Sequence, residues 1–170
     1  MEKPMENLTM RPAAPADMPA VYDVYRTAID HMNQNGIPQW DELYPTPAIL
    51  DEDLARGELF VADAAGEVLA AVALNEQCDP AYDAAAWAYE GPWVIVHRLC
   101  VSPAAQGKGV GRGLMTAVED WARATGYRAI RLDAFSLNPH ALRMYAGLGF
   151  AHRGEANWRK GLFYLLEKRL

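Results

Sequence analysis

Two stretches of this 170-residue chain concentrate the side chains and bare backbone that chemistry needs. In Gln106-Gly-Lys-Gly-Val-Gly-Arg-Gly113 a glycine stands at every second position, between a run of strand-forming residues and a helical pattern. Backbone N–H groups at the mouth of a helix bind phosphate, and a glycine lets the chain approach where a Cβ would intrude. In Leu132-Asp-Ala-Phe-Ser-Leu-Asn-Pro-His-Ala-Leu-Arg-Met-Tyr145, Asp133 can take a proton and Tyr145 can give one. His97 precedes the glycine loop and carries an imidazole, whose ordinary pKa near 6.5 lies close to neutrality.

Nucleotide motifs fail on spacing. A P-loop needs Gly-Lys followed by Ser or Thr, whereas Lys108 is followed by Gly109 and no glycine lies five residues before it. A dinucleotide fingerprint starting at Gly107 or Gly109 would need a third glycine where Arg112 or Leu114 stands. The formal charge of −6 and pI near 5.2 argue against a nucleic-acid partner, which would require clustered Lys and Arg. The two cysteines, Cys78 and Cys100, and the four histidines, His31, His97, His140 and His152, show no CxxC or HxxxH spacing, so no metal is expected. The opening MEKPMENLT holds no signal-like apolar run, and no stretch approaches the ~20 apolar residues of a membrane span, which makes the cytoplasm the expected location.

The elements that must position these residues follow from periodicity and punctuation. A strand over Leu8–Arg11 precedes a helix opened by Asp17 and striped with Val21, Tyr25, Ala28, Ile29 and Met32. After the irregular GIPQWDELYP, Thr46-Pro47 reads as a cap and first residue of a helix reaching Leu54. Leu59–Ala62 and Val68–Leu74 form a hairpin across Asp63-Ala-Ala-Gly66. Asn75 to Pro92 is an excursion before the strand Trp93–Val101. A helix over Gly109–Thr125 is closed by Gly126, a strand runs over Ile130–Phe135, and Asn138 caps a helix over Pro139–Leu148. Strands Ala151–Trp158 and Leu162–Lys168 finish the chain. The order β α α β β β α β α β β predicts one domain over residues 8–170, with Met1 to about Asn7 as a tail. The expected class is α/β, a mixed and largely antiparallel seven-stranded sheet with helices on both faces.

Gln106-x-x-Gly109-x-Gly111, after Leu99-Cys-Val-Ser-Pro103, resembles the pyrophosphate arm of the GCN5-related N-acetyltransferase (GNAT) family. The stretch Leu132 to Phe150 is similar to that family's second signature: a strand, an Asn that opens a helix, a Tyr seven residues later and a closing Gly-Phe. The element order matches from about Leu8 to Leu170. The resemblance implies direct transfer of an acetyl group from acetyl-CoA to an amine, without a metal. It implies that Leu99, Cys100 and Val101 pair with the pantetheine arm as though it were a further strand, with the N–H of Leu99 facing the thioester carbonyl. Cys100 is then an apolar strand residue and not a nucleophile. By the same resemblance, Gln106, Gly107, Lys108, Gly109, Val110, Gly111 and Arg112 would hold the pyrophosphate, Asn138 would bond the cofactor arm, and Tyr145 would protonate the departing thiolate. Of these glycines, only Gly109 and Gly111 are required by the motif.

The base has two candidates. Asp133 lies five residues before Asn138, where the resemblance implies the glutamate of the family's peptide-amine acetyltransferases. His97, two residues before Leu99 and expected on the same face of the strand, stands where serotonin N-acetyltransferase has a relay histidine. The alternative for His97 is a structural bond to Asp133. On the acceptor side, GIPQWDELYP and Asn75 to Pro92 hold Trp40, Tyr44, Tyr82, Trp87 and Tyr89 among Asp41, Glu42, Asp79, Asp83 and Glu90, a composition suited to a cationic amine with an apolar portion. Trp40 is the first candidate to touch the acceptor, a small-molecule or peptide amine. A homodimer, a non-catalytic acyl-CoA-binding module and an acyltransferase using longer chains or hydroxyl acceptors stay open.

Overall fold

The computed structural model of the chain describes residues 7–170, so the expected tail lies, apart from Asn7, outside the described residues. Seven strands, β1 (Leu8–Pro12), β2 (Leu59–Ala64), β3 (Glu67–Asn75), β4 (Trp93–Val101), β5 (Ala129–Phe135), β6 (Ala151–Trp158) and β7 (Gly161–Arg169), form one sheet in the order β1-β2-β3-β4-β5-β7-β6. Four helices accompany them: α1 (Met18–Gln34), α2 (Pro47–Ala55), α3 (Val110–Thr125) and α4 (Pro139–Gly147). Every strand pairing is antiparallel except that of β4 with β5. That pair is parallel because α3 carries the chain back across the sheet between them.

Local chemistry sets the helix ends. Thr46 Oγ1 accepts from the Ile49 N–H at 3.3 Å, and Asn138 Oδ1 accepts from the Ala141 N–H at 3.2 Å. Gly126, at φ 100°, ends α3 in a conformation that L side chains avoid. Asp17 departs from expectation: it sits at the start of α1, but its carboxylate accepts from the Ala14 N–H at 2.7 Å and pairs with Arg11 instead of capping the helix. The excursion between β3 and β4 contains one short 3-10 turn, Pro80–Ala84.

The core lies on both faces of the sheet. Val72, Val96, Ile130 and Leu132 pack against Val110, Leu114 and Val118 of α3. Val61, Ala71 and Cys100 meet Val21, Tyr25 and Ala28 of α1 on the opposite face. Each fully buried aliphatic of this kind is worth about 1.5–3 kcal/mol relative to its exposed state. A smaller cluster of Tyr82, Ile95, Ala156 and Leu165 seats the excursion against the sheet. Glu167, 1% exposed, fixes its other end by accepting from the Ala88 N–H and from Arg131 and Arg153.

The feature that opens the site is a bulge in β4. Ala73 is registered with His97 but Ala71 with Cys100, so three steps on β4 answer two on β3. The irregularity contains Arg98, whose φ of 53° places a non-glycine residue in the left-handed region. Long-range contacts hold it there: the Arg98 carbonyl accepts from Tyr25 Oη at 2.6 Å, and the guanidinium grips Asp53 at 3.0 and 2.6 Å and Tyr44 Oη at 3.0 Å. Pairing of β4 with β5 ends at Val96 and Leu132. Beyond that point β5 stays paired with β7 and β4 with β3, so the two parallel strands part across the middle of the sheet.

Candidate active site

A groove of about 1000 Å³ runs from the parted strands to the first turn of α3. It is lined by Leu99, Cys100 and Val101 on one side and by Asp133, Asn138 and Tyr145 on the other. Its far end is the glycine loop. Gln106 Nε2 donates to the Val101 carbonyl at 3.3 Å, tying the loop to the end of β4. Gly107 and Gly109 are left-handed at φ 75° and 79°, so Gly107, which the motif does not require, is demanded by the turn. Gly109 opens α3 without a side-chain cap, leaving first-turn N–H groups free for an anion. At Gly111 an added Cβ would lie 3.2 Å from Met144 Sδ and 3.5 Å from Val101 Cγ2, so Met144 would have to give by a few tenths of an ångström to admit it. Gln106, Gly107, Gly109, Val110, Gly111 and Arg112 all line it, whereas Lys108 is exposed and does not.

A second cavity of about 410 Å³ lies beyond the parting of the strands. The two spaces share Gln39, Trp40, Leu99, Asp133 and Tyr145. Three of the five are residues that the sequence marks for chemistry, and they come from β4, β5 and α4.

Asp133 is largely buried on β5. Burial pushes its carboxyl up to about 6, while Tyr82 Oη, donating to Oδ2 at 2.7 Å, acts in the opposite direction. Tyr145 is 5% exposed, its ring edge-on to Phe150 with centroids 5.6 Å apart. Burial raises its pKa well above the ordinary phenol value, so it stays protonated throughout the physiological range. Cys100 is buried and its thiol likewise raised by burial, leaving no thiolate at neutral pH.

His97 lines the second cavity but not the groove. The expectation that it shares a strand face with Leu99 is overturned by the bulge: His97 falls on the face of Cys100, while Leu99 and Val101 pack toward α3. The structural bond to Asp133 is also absent. His97 Nε2 lies 2.8 Å from the Gln77 carbonyl and so carries the hydrogen, and Asp133 is engaged by Tyr82. Burial and the neighbouring Arg98 lower His97 to about 4, which makes it a neutral ring at pH 7.

The acceptor-side aromatics divide. Trp40, 7% exposed, is at once core, 5.8 Å from Tyr25, and a wall of both cavities. Tyr44 and Tyr82 also line the second cavity. Trp87 and Tyr89 do not: Trp87 stacks on Arg131, and Tyr89 on Arg153 and Arg169. Asn138 uses Nδ2 to hold Gln39 at 2.9 Å, coupling the start of α4 to the loop over the cavity. Sequence reasoning misses Arg98, because period-two alternation gives no sign of a bulge, and misses Arg159 and Lys160, which read only as a hairpin turn. Among the described residues no group of three or more His, Cys, Asp or Glu side chains is gathered as a metal site would need, and no helix is long and apolar enough to cross a membrane.

The chain thus has a sheet parted between its parallel strands, with a glycine-rich helix mouth at one end of the gap and Asp133 and Tyr145 at the other, and its residues 21–150 match the model of the acetyltransferase (GNAT) family. The chain belongs to that family. It is 38% identical over 65 residues to an IAA acetyltransferase of Azospirillum brasilense, a match that takes in 38% of this chain and 42% of that protein. The chain spans about two fifths of the length of the curated relatives it matches. Among solved structures, a GNAT-family acetyltransferase from Streptococcus agalactiae superposes with a TM-score of 0.82 at 20% identity, covering 96% of this chain and 95% of that one. The PaiA N-acetyltransferase from Thermoplasma acidophilum, solved in complex with coenzyme A, gives 0.72 at 16% identity, covering 96% and 99%. These likenesses show the shared fold.

Proposed function

We propose that the protein transfers an acetyl group from acetyl-CoA directly to a primary amine. The observation that carries this reading is the junction of the two cavities at Leu99, Asp133 and Tyr145. A donor lying in the groove, with its pyrophosphate on the first turn of α3, brings a thioester to the gap between β4 and β5. An amine in the second cavity then meets it there.

The chain's own groups supply what the reaction needs. The Asp133 carboxylate, ionised above about pH 6, takes the proton that an alkylammonium must lose before its nitrogen can attack. The N–H of Leu99 stabilises negative charge on the carbonyl oxygen, an effect worth about 3 kcal/mol for a well-placed donor. As the N–C bond forms and the C–S bond breaks, the neutral Tyr145 phenol gives its proton to the sulfur. Asp133 is favoured over His97 as base because it lines both spaces and titrates close to neutrality. His97, neutral at the wall of the cavity, donates from Nε2 to the Gln77 carbonyl.

Thiol release from acetyl-CoA against a panel of amines tests the reading, with coenzyme A affinity measured calorimetrically beside it. The expected result is acceptor-dependent release. Tight coenzyme A binding without release for any amine would leave an acyl-CoA-binding module and remove the enzyme.

A further inference from the structure

The second cavity is not the acidic pocket that loop composition suggests. Of Asp41, Glu42, Asp79, Asp83 and Glu90, only Asp79 lines it, joined there by Asp133 from β5. Three cations, Arg98, Arg159 and Lys160, line it as well. Arg98 is matched by Asp53 in a bidentate pair of nearly buried side chains. Arg159 and Lys160, the turn between β6 and β7, share a single carboxylate. Arg159 donates to both oxygens of Asp41 at 2.7 and 2.9 Å, and Lys160 Nζ lies 2.9 Å from Oδ2.

Two positive charges against one negative leave an excess positive charge at this end of the cavity. Asp41 itself does not line the cavity. Glu42 acts on Arg159 only from the exposed side of the loop, where solvent and salt screen it. Arg159 already satisfies both Asp41 oxygens, and the Lys160 ammonium has three donors, of which the Asp41 contact occupies one. The opposite end is negative: Asp133 lies there, and the charges that act on it are those of Asp79 and Arg98. Asp133 is registered with Leu165, five positions after Lys160, which corresponds to about 16 Å of extended strand, a span that the lysine stem covers in part and that leaves room for an acceptor several bonds long. Trp40, Val96, Trp158 and Phe163 supply apolar wall to the same cavity.

Resting on the acetyltransferase reading above, we infer that the acceptor is a primary amine that carries a carboxylate several bonds away, an ω-amino acid or short peptide, with its amine at Asp133 and its carboxylate at Lys160. An unaccompanied polyamine meets the wrong charge at the outer end of this cavity, and a simple alkylamine leaves Lys160 unused.

Aminohexanoate and hexylamine form a matched pair that differs in the carboxylate, and spermidine supplies the polyamine. The expected kcat/KM for aminohexanoate exceeds that for hexylamine by about tenfold or more, the scale of one hydrogen bond to a charged group. Lys160→Gln, which leaves Arg159 on Asp41, collapses that ratio toward one, with coenzyme A affinity as the control for folding. Hexylamine or spermidine used as well as aminohexanoate by the wild type would overturn the inference while leaving the acetyltransferase reading intact. If no amine supports thiol release, that reading fails by itself, and calorimetry with N-acetylaminohexanoate and N-hexylacetamide decides the inference. Tighter binding of the carboxylate, lost in Lys160→Gln, sustains it, and equal binding overturns it.

Discussion

Tyr82→Phe isolates the control of the proposed base. The substitution removes one hydroxyl and leaves the ring in its contacts with Trp87, at a centroid distance of 5.5 Å, and with Ile95, Ala156 and Leu165. What is lost is the hydrogen bond to Asp133 Oδ2 at 2.7 Å, which favours the ionised carboxylate and so holds its pKa down against the effect of burial. A hydrogen bond to a charged group is worth about 1.5–3 kcal/mol, or roughly one to two pKa units at 1.36 kcal/mol per unit. The sign is therefore upward, from about 6 toward 7 or above. Because the carboxylate must be ionised to accept a proton, the acid limb of kcat/KM moves the same way and activity at pH 6 falls about tenfold while the plateau at high pH is retained. Thiol release across pH 5–9 measures it, with Asp133→Asn as companion, expected to abolish the limb. An acid limb in Tyr82→Phe that coincides with wild type, in a protein of unchanged coenzyme A affinity, would refute Asp133 as the base.

Tyr145→Phe should lower kcat by about a hundredfold or more with acetyl-CoA affinity nearly unchanged, since the phenol acts on the leaving group and not on the cofactor's grip; unchanged turnover would remove it from the reaction. Gly109→Val puts a β-branched residue at φ 79° in the loop that opens α3. Coenzyme A affinity should fall and stability should drop by about 1–2 kcal/mol, read by calorimetry and thermal denaturation. Arg98→Ala strips the partner from Asp53, which is 3% exposed, and should cost about 3–5 kcal/mol in denaturant unfolding. A loss below 1 kcal/mol would show that the bulge does not depend on that pair.

The order of elements was legible in the sequence because its signals are local. Thr46 and Asn138 cap the helices they precede, Gly126 ends α3, and strand and helix periods differ enough to be told apart over a few turns. The glycine loop was legible for the same reason: Gly109 and Gly111 stand within one turn of the helix they open. Asp133 and Tyr145 were singled out by the family resemblance, but their meeting with Leu99 at one junction could not be derived from periodicity alone.

Tertiary structure decided what the site can do. The bulge at Arg98 turned His97 away from the face of Leu99, and its supports, Tyr25 and Asp53, lie 73 and 45 residues away in the chain. The parting of β4 from β5 follows where each strand finds its other partner, a competition that no single segment contains. Charge pairing was decided in the same way: Asp41 and Arg159 are separated by 118 residues, and their contact ties a loop rich in carboxylates to the β6–β7 turn, whose Arg159 and Lys160 line the cavity. Local rules act through backbone bonds and neighbouring side chains, whereas the electrostatics of a cavity depend on which charges folding brings within a few ångströms of one another.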